Sequence, residues 1–336
     1  MKKIKSVTSL LMSLCVLGTS MISCGSETAS EEMAIDIYII SGQSNGAGYT
    51  VYNSEVLSGL WDKYDIGTPS VLYSGVAEYT IFSPEVGTGY NEFNEWVPAR
   101  AGMGSSPQNM GAEVGMAAYL SEHRYNEESG LVAGIIKSAH GGTSLLNNQG
   151  GENSVNGNWV SPSYALELGI EYSGITGGQY RLLLERFEER INSLRDLGYT
   201  DINVKGLFWM QGESDHGNPG EYEKAFAYFV SDIRNDLGRI MNEDLSSLAI
   251  IIGEISETFG STDANMIATN MAFIAKQREI AEKMDNVYTI PSSQYKVNWI
   301  ENGKSVNGQD PWHWTTADMF EIGQLVGKCI VENIVE

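Results

Sequence analysis

A serine stands in a small polar turn directly after a mainly apolar run. Residues 35–40 are mostly isoleucine and tyrosine, Ser41 ends the run, and Gly42-Gln43-Ser44-Asn45 follows. A hydroxyl at the end of a buried strand is either a turn residue or the nucleophile of an acyl-transfer reaction. The neighbouring glycines would let a substrate approach the backbone beside Ser44. Other residues have to decide between the two interpretations.

Two further polar turns follow predicted strands. Residues 140–143 read His-Gly-Gly-Thr, and residues 211–215 read Gln-Gly-Glu-Ser-Asp. Ligands of open α/β sheets bind beyond the carboxyl ends of the strands, so we expect all three turns at one edge. Acyl transfer also needs a base, a group that orients the base, and donors for the oxyanion. Gly141 or Gly142 can present a backbone N–H to the oxyanion, because neither has a side chain to obstruct it.

The base is expected to be one of four histidines. His313 lies in the segment GQDPWHW, where Asp310 precedes it by three residues and can hold its tautomer. His140 is the second choice. His123 ends a charged helix and His216 lies in a turn, so both are more simply explained without chemistry.

Strands and helices that alternate along the chain must position these groups. Near-continuous apolar runs predict five parallel strands covered on both faces, at 35–41, 131–139, 204–210, 248–255 and 286–290. Helical patterns cover 111–124, 178–198, 220–241, 263–284 and 315–335. The alternation predicts a three-layer α/β domain with a mainly parallel five-stranded sheet. Two long segments, 46–110 and 143–177, do not fit this rhythm and are expected to carry function or small structures of their own.

Four blocks resemble one enzyme family. GQSN, KSAHGGTSL, WMQGESD and DPWH occur in this order within residues 37–314. Together they resemble the SGNH-type hydrolases, in the branch of the sialate O-acetylesterases and the sixth carbohydrate esterase family, which includes acetylxylan esterases. The resemblance implies a serine esterase that removes acetyl groups from carbohydrates, on a flavodoxin-like α/β/α fold without metal or other cofactor.

The resemblance also implies roles for individual residues. Ser44 matches the nucleophile, Asp310 and His313 the acid–base pair, and Gly142 (or Gly141) an oxyanion donor beside the Ser44 N–H. The general SGNH pattern has an asparagine in its third block, where this chain has Gln211-Gly212-Glu213. Whether Gln211 donates to the oxyanion, and whether Glu213 is a further acid near His313 or a structural carboxylate, stays open.

Substrate contacts are expected from residues around these blocks. Gln43, His140 and Trp312 are the predicted contacts. Aromatic faces stack on sugar rings, so either Trp159 or Trp312 is a candidate subsite, with loop packing as the alternative for both. Trp209 lies inside a strand and is predicted to be core.

The N-terminus resembles a bacterial lipoprotein signal. Residues 1–23 contain three lysines and then a short apolar stretch, and they end at Cys24. This predicts a signal peptide at 1–23, a lipidated Cys24, a polar tether at 24–34 and an esterase domain at 35–336. The protein is then extracytoplasmic and lipid-anchored in the envelope or at the surface. Plain secretory cleavage, giving a secreted or periplasmic protein, is the alternative.

Charge and cysteine content exclude several classes of partner. The formal net charge of -22 disfavours nucleic acid and anionic membrane surfaces, so the membrane is expected to be reached only through a lipid at Cys24. Of three cysteines only Cys329 lies outside the leader and the lipidation site, which leaves no disulfide or thiolate metal site. The predicted partner is an O-acetylated oligo- or polysaccharide. A saccharide-binding surface lipoprotein without catalysis and an esterase for small non-sugar esters are the alternatives.

Overall fold

The computed structural model describes residues 33–63, 71–76, 92–126, 128–259, 261, 263–295, 300–301, 304–305 and 312–335. The predictions on the signal peptide, the tether up to residue 32, Cys24 and Asp310 lie outside these residues. In chain order the elements are β1 (Ala34–Gly42), α1 (Ser44–Ala47), β2 (Thr50–Val51), α2 (Ser54–Lys63), β3 (Val71–Val76), β4 (Glu92–Pro98), β5 (Asn109–Met110), α3 (Glu113–His123), β6 (Ala133–Ala139), α4 (Asn153–Asn156), α5 (Pro162–Leu168), α6 (Gly178–Asp196), β7 (Asp201–Met210), α7 (Pro219–Met241), β8 (Ala249–Gly253), α8 (Ala264–Lys283), β9 (Val287–Ile290), β10 (Ile300–Glu301), β11 (Lys304–Ser305) and α9 (Thr316–Asn333).

The central sheet has seven strands in the order β4-β3-β6-β1-β7-β8-β9. The five predicted strands are adjacent and all parallel. Numbered along the chain, their order is 2-1-3-4-5, which is the flavodoxin order. The predicted fold class is therefore confirmed. β3 and β4 extend one edge, with β3 parallel to β6 and β4 antiparallel to β3. The sequence pattern does not predict these two strands, because Ser and Gly interrupt one and Asn and Glu the other.

Helices cover both faces of the sheet. Ile35, Ile37 and Ile39 of β1 pack into a core shared with α6, α7 and α8. Tyr38 and Ile40 point the other way, into a core shared with α3 and α9. Because successive side chains of a strand alternate between faces, a strand covered on both sides has to be apolar throughout. The predicted three layers are therefore observed, and all five predicted helices are present within a few residues of their predicted ends.

α3 and α9 approach closely at glycines. A Cβ on Gly115 would lie 1.9 Å from the carbonyl oxygen of Phe320, and one on Gly323 would lie 2.2 Å from that of Ala112. The helix backbones are thus in direct contact, which fixes α9 on the sheet. His313 lies just before α9, and the Thr315 side chain caps that helix by accepting a hydrogen bond from the Asp318 N–H at 3.1 Å.

Within the described ranges, none of the helices combines the length and apolar character that crossing a bilayer requires.

Candidate active site

The three polar turns meet because their strands are neighbours. β1 lies between β6 and β7, and Gly42 pairs with Ala139 on one side and Met210 on the other. Beyond the strand ends, the Gln43 N–H donates to the Met210 carbonyl at 3.0 Å and the His140 N–H to the Gly42 carbonyl at 3.1 Å. Gly42 has φ +132°, and a Cβ there would lie 2.1 Å from the Met210 oxygen, so the turn requires glycine.

A cleft of about 470 Å³ opens at this edge of the sheet. It is lined by Gln43, Ser44, Tyr49, His140, Gly141, Gly142, Glu152, Ser214, Phe259, Trp312 and His313. Six residues predicted for the site are therefore brought together: Ser44, His313, Gly142, Gln43, His140 and Trp312. Ser44 is the first residue of α1, so it follows β1 after a single intervening residue.

His313 is held against the segment that follows the turn containing Ser44. Its ring stacks on Tyr49, with ring centroids 5.1 Å apart and planes inclined by 20°. The next residue, Trp314, is buried, and its Nε1 donates to the Tyr295 carbonyl at 2.7 Å. The Thr50 hydroxyl donates to the Trp314 carbonyl at 3.0 Å. The histidine segment is thereby tied to the chain just beyond Ser44.

Asn45 joins the third turn to the same segment. Its Nδ2 donates to Oε1 of Glu213 at 2.8 Å and to the Trp312 carbonyl at 3.3 Å. Asn45 and Glu213 are almost completely buried. Burial raises the pKa of the Glu213 carboxyl above its ordinary value, while the Asn45 hydrogen bond and the charge of nearby His313 act in the opposite direction. Glu213 therefore lies behind the cleft, linked to both Ser44 and His313 through their neighbours.

Gln211 is buried, and its side-chain amide donates hydrogen bonds to acceptors within the protein. Its Nε2 donates to Oδ2 of Asp215 at 2.6 Å, to Oε1 of Gln43 at 3.2 Å and to the Thr143 carbonyl at 3.2 Å. The residue has no exposed surface and does not line the cleft. This hydrogen bonding does not support Gln211 as an oxyanion donor, because its amide hydrogens are directed into the network.

Asp215 fixes the loop after the second turn. Its Oδ2 accepts from the Leu145 N–H at 2.7 Å and from Gln211. Burial raises the pKa of the Asp215 carboxyl from 3.8 to about 6, against the opposing effect of these hydrogen bonds. These contacts give Asp215 a structural role in the loop.

Gly142 takes a backbone conformation that few other residues adopt. Its φ is +69°, and a Cβ there would lie 2.6 Å from Cγ of Glu152. The Glu152 side chain is 60% exposed, and its Oε2 is 3.9 Å from Nε2 of buried His140. Glycine therefore allows the Glu152 side chain to pack directly over this turn at the cleft.

A buried ion pair contacts the end of α1, the short helix that begins at Ser44. Nζ of Lys137 is 3.0 Å from Oε2 of Glu113, and both side chains are fully buried. The same Nζ donates to the carbonyls of Ala47, at the end of α1, and Met103 at 3.1 and 2.8 Å. Burial lowers the pKa of Lys137, while Glu113 acts to raise it. Removing one partner of such a pair leaves an uncompensated buried charge.

The sequence profile of one family covers nearly all of this domain. A family described as carbohydrate esterase, sialic acid-specific acetylesterase, matches residues 34–332. The chain belongs to this carbohydrate esterase family. It is thus a carboxylic ester hydrolase, and the predicted resemblance is confirmed.

Solved structures share the fold of this carbohydrate esterase. A protein from Arabidopsis thaliana is 19% identical with a TM-score of 0.53, covering 89% of this chain and 99% of its own. NanS is 13% identical with a TM-score of 0.53, over 90% of this chain and 98% of its own. A carbohydrate acetylesterase from Xanthomonas citri is 15% identical with a TM-score of 0.50, over 88% of this chain and 56% of its own. No curated protein matches the chain in sequence.

The tryptophans of the esterase divide into core and cleft. Trp159 is fully buried, with Nε1 donating to the Thr143 hydroxyl at 2.8 Å and its ring 5.2 Å from that of Trp209. Trp159 is therefore a core residue, and of its two alternatives, sugar subsite or loop packing, the structure supports loop packing. Trp209 is core as predicted. Trp312 is 47% exposed and lines the cleft.

Sequence reasoning missed four residues of the esterase site: Asn45, Tyr49, Glu152 and Phe259. Asn45 is the last residue of the GQSN block, so the block itself could have indicated it. Tyr49 lies five residues beyond Ser44, but nothing in the sequence indicates that it stacks on a histidine 264 residues away. Glu152 and Phe259 lie outside the quoted blocks, on segments whose path only the structure gives.

Potential metal ligands do not cluster among the described residues. No group of three or more His, Cys, Asp or Glu side chains lies together there in a way that could hold an ion. The expectation of a mechanism without metal stays a prediction.

Proposed function

We propose that this protein is a serine esterase that releases acetate from O-acetylated carbohydrates. The observation that carries the proposal is that Ser44 and His313 line one cleft together with Gly142 and Trp312. Membership of a carbohydrate esterase family supports the reaction class and the type of substrate. A saccharide-binding protein without catalysis would not need a serine and a histidine in the same cleft.

In the first step Oγ of Ser44 attacks the carbonyl carbon of the acetyl ester. His313 accepts the hydroxyl proton as the new C–O bond forms. The tetrahedral intermediate then collapses, the bond to the sugar oxygen breaks, and His313 protonates that oxygen. The sugar leaves with a free hydroxyl, and the acetyl group stays on Ser44.

In the second step water releases the acetyl group. His313 takes a proton from the water as it attacks the acyl carbon, and then returns this proton to Oγ of Ser44. Acetate leaves and the enzyme is restored. No other reactant is required.

The developing oxyanion needs donors at the cleft wall. We assign these to the backbone N–H groups of Ser44 and Gly142, since Gln211 is engaged within the protein. Asp310, three residues before His313 in the sequence, is assigned to orient the imidazole. Glu213 is assigned as a positioning residue that acts through Asn45. Gln43 and His140 help to shape the cleft, and Trp312 offers a face for a sugar ring.

The proposed place of action is outside the cytoplasm. The lipoprotein-like leader at 1–23 and Cys24 support a lipid-anchored enzyme of the envelope or surface, with polymeric or oligomeric saccharide as its substrate.

Substitution of Ser44 tests the mechanism. Ser44→Ala is expected to lower kcat on a chromogenic acetate ester at least about a thousandfold, and to abolish labelling by a serine-reactive phosphonate. Ser214→Ala is the matched control, because it removes the hydroxyl of another cleft serine, and it should still be labelled. Full activity of Ser44→Ala would contradict the mechanism. Acetate release from acetylated xylan and from O-acetylated sialic acid then compares the candidate sugars.

A further inference from the structure

The charge of the cleft has one source among its described residues. With the histidines neutral, Glu152 is the only residue in the described part of the cleft lining that carries a formal charge. Its side chain is 60% exposed and lines the cleft that a substrate would enter. The whole chain adds to the same field, with a formal net charge of -22.

Contacts on two sides hold Glu152 beside the reacting position. Its Cγ lies where a Cβ on Gly142 would clash, so the stem packs on the turn to which we assign an oxyanion donor. Its Oε2 accepts a hydrogen bond from Nδ2 of Asn156 at 3.1 Å. The carboxylate is thereby kept at the cleft wall beside the Gly142 turn.

His140, whose Nε2 lies 3.9 Å from Oε2 of Glu152, can offset this carboxylate only when it is protonated, so a permanent cation would have to come from another residue of the cleft. None of its described lining residues is Lys or Arg. The undescribed segments 64–70, 77–91 and 306–311 contain no Lys or Arg either. After residue 32, the Lys and Arg residues with undescribed side chains are Lys63, Lys296 and Lys304. Proteins usually bind a ligand carboxylate with a bidentate arginine or another cation, and the described cleft offers an anion instead.

We propose that this cleft takes acetylated sugars that lack a carboxylate, and that Glu152 is a specificity-determining residue that disfavours acidic sugars, sialic acid among them. The inference rests on the proposed acetylesterase function. Like charges about 4–6 Å apart repel enough in water to change a rate about three- to sixfold, and the effect is larger where the protein lowers the local dielectric constant. A neutral sugar avoids this repulsion, and its hydroxyls can donate hydrogen bonds to Glu152.

A matched pair of substrates isolates the charge. One is a monoacetylated glucoside, and the other is the glucuronide acetylated at the same position, which differs by a carboxylate. At low ionic strength we expect kcat/KM for acetate release to be about tenfold higher for the glucoside. The preference should fall towards one in Glu152→Gln, and it should also fall in wild type at 1 M salt, where the screening length is about 3 Å.

Glu332→Gln is the control variant. It also removes one negative charge, its side chain is 57% exposed, and it lies on α9 at a different cleft. The substrate preference should be the same in this variant as in wild type.

Three results overturn the inference. They are equal rates on the two substrates, a preference unaffected by Glu152→Gln, and release of acetate from other sugars but from neither member of the pair. In each case acetate release from some sugar leaves the proposed function standing. If no acetylated sugar is hydrolysed at all, the proposed function fails and the inference fails with it.

Discussion

The side-chain amide of Asn45 donates a 2.8 Å hydrogen bond to the buried Oε1 of Glu213. The same nitrogen also donates to the Trp312 carbonyl at 3.3 Å. One amide therefore joins the turn that contains Ser44, the turn that contains Glu213 and the segment that contains His313. A buried donor that loses its acceptor costs about 1–3 kcal/mol. The proposed role of Glu213 as a positioning residue can therefore be tested separately from that of a group that contacts substrate.

Substitution of Glu213 should distinguish loss of the acceptor from loss of the charge. Glu213→Ala removes the closer of the two acceptors of the Asn45 amide, so we expect about 1–3 kcal/mol lower unfolding free energy and a kcat about 10- to 100-fold lower with little change in KM. Glu213→Gln keeps a carbonyl oxygen for Asn45 and should retain most of the stability. Urea unfolding and steady-state kinetics measure both. An alanine variant as stable and active as wild type would rule out this role.

Gly142 and Gly151 form a matched pair of glycines. Both have positive φ, +69° and +57°, so alanine at either costs strain on the order of 1 kcal/mol. A Cβ on Gly142 would meet Glu152, whereas one on Gly151 has nothing within 4 Å. We expect Gly142→Ala to lower kcat about 100-fold by displacing the N–H assigned to the oxyanion, and Gly151→Ala to stay within about twofold. Similar kinetics for the two variants would remove Gly142 from the oxyanion site.

Trp312 is expected to bind sugar through its exposed ring. Trp312→Ala should raise KM for an acetylated oligosaccharide about 3- to 10-fold, the amount that an aromatic contact typically supplies. Hydrolysis of a small acetate ester should change little, because the Trp312 carbonyl that receives the Asn45 hydrogen bond is retained. Trp312→Phe keeps an aromatic face and should fall between the two. Equal losses on both kinds of ester would indicate a structural effect.

The raised pKa of Asp215 predicts a dependence of stability on pH. A carboxyl whose pKa is about 6 in the folded protein and 3.8 otherwise favours folding below pH 3.8, and this contribution is lost as the pH rises through 6. The difference corresponds to about 3 kcal/mol, at about 1.4 kcal/mol for each pH unit. Asp215→Asn should therefore lack this slope, whatever its absolute stability. Unfolding free energies measured from pH 4 to 7 would show it, and parallel curves for both proteins would contradict it.

Cys24 is the expected site of lipid attachment. Wild-type protein expressed with its leader should partition into detergent and incorporate labelled fatty acid, and Cys24→Ser should do neither. Cys329→Ser is the control, since Cys329 lies half-buried on α9 and should not affect partitioning. Water-soluble wild-type protein cleaved near residue 23 would favour the secretory alternative.

The five parallel strands could be predicted because strands that are buried on both faces have near-continuous apolar sequences. β1 alternates its isoleucines between two cores, so a near-continuous apolar run was the expected pattern. β3 and β4 extend the sheet edge with short strands that Ser, Gly and Asn interrupt. β3 pairs with β6 and β4 pairs with β3, and no local sequence pattern indicates these pairings.

The site, like the fold, has parts that the local sequence indicates and parts that it does not. The placement of Ser44, Gly142 and His313 in one cleft was predictable, because each lies beside a strand end or a helix start. The directions of the Gln211 amide and the Trp159 ring were not, since these depend on how the loops around them pack. Glu152 was not predicted for the same reason. Its place in the cleft depends on the packing of its side chain over Gly142.

Glu152 has a consequence for the end of the reaction as well as its start. Hydrolysis of an acetyl ester leaves acetate, an anion formed beside that carboxylate. Like charge then works against retention of the product, which favours release of acetate over its accumulation in the cleft. Acetate should accordingly be a weak inhibitor of the wild-type enzyme and a stronger one of Glu152→Gln.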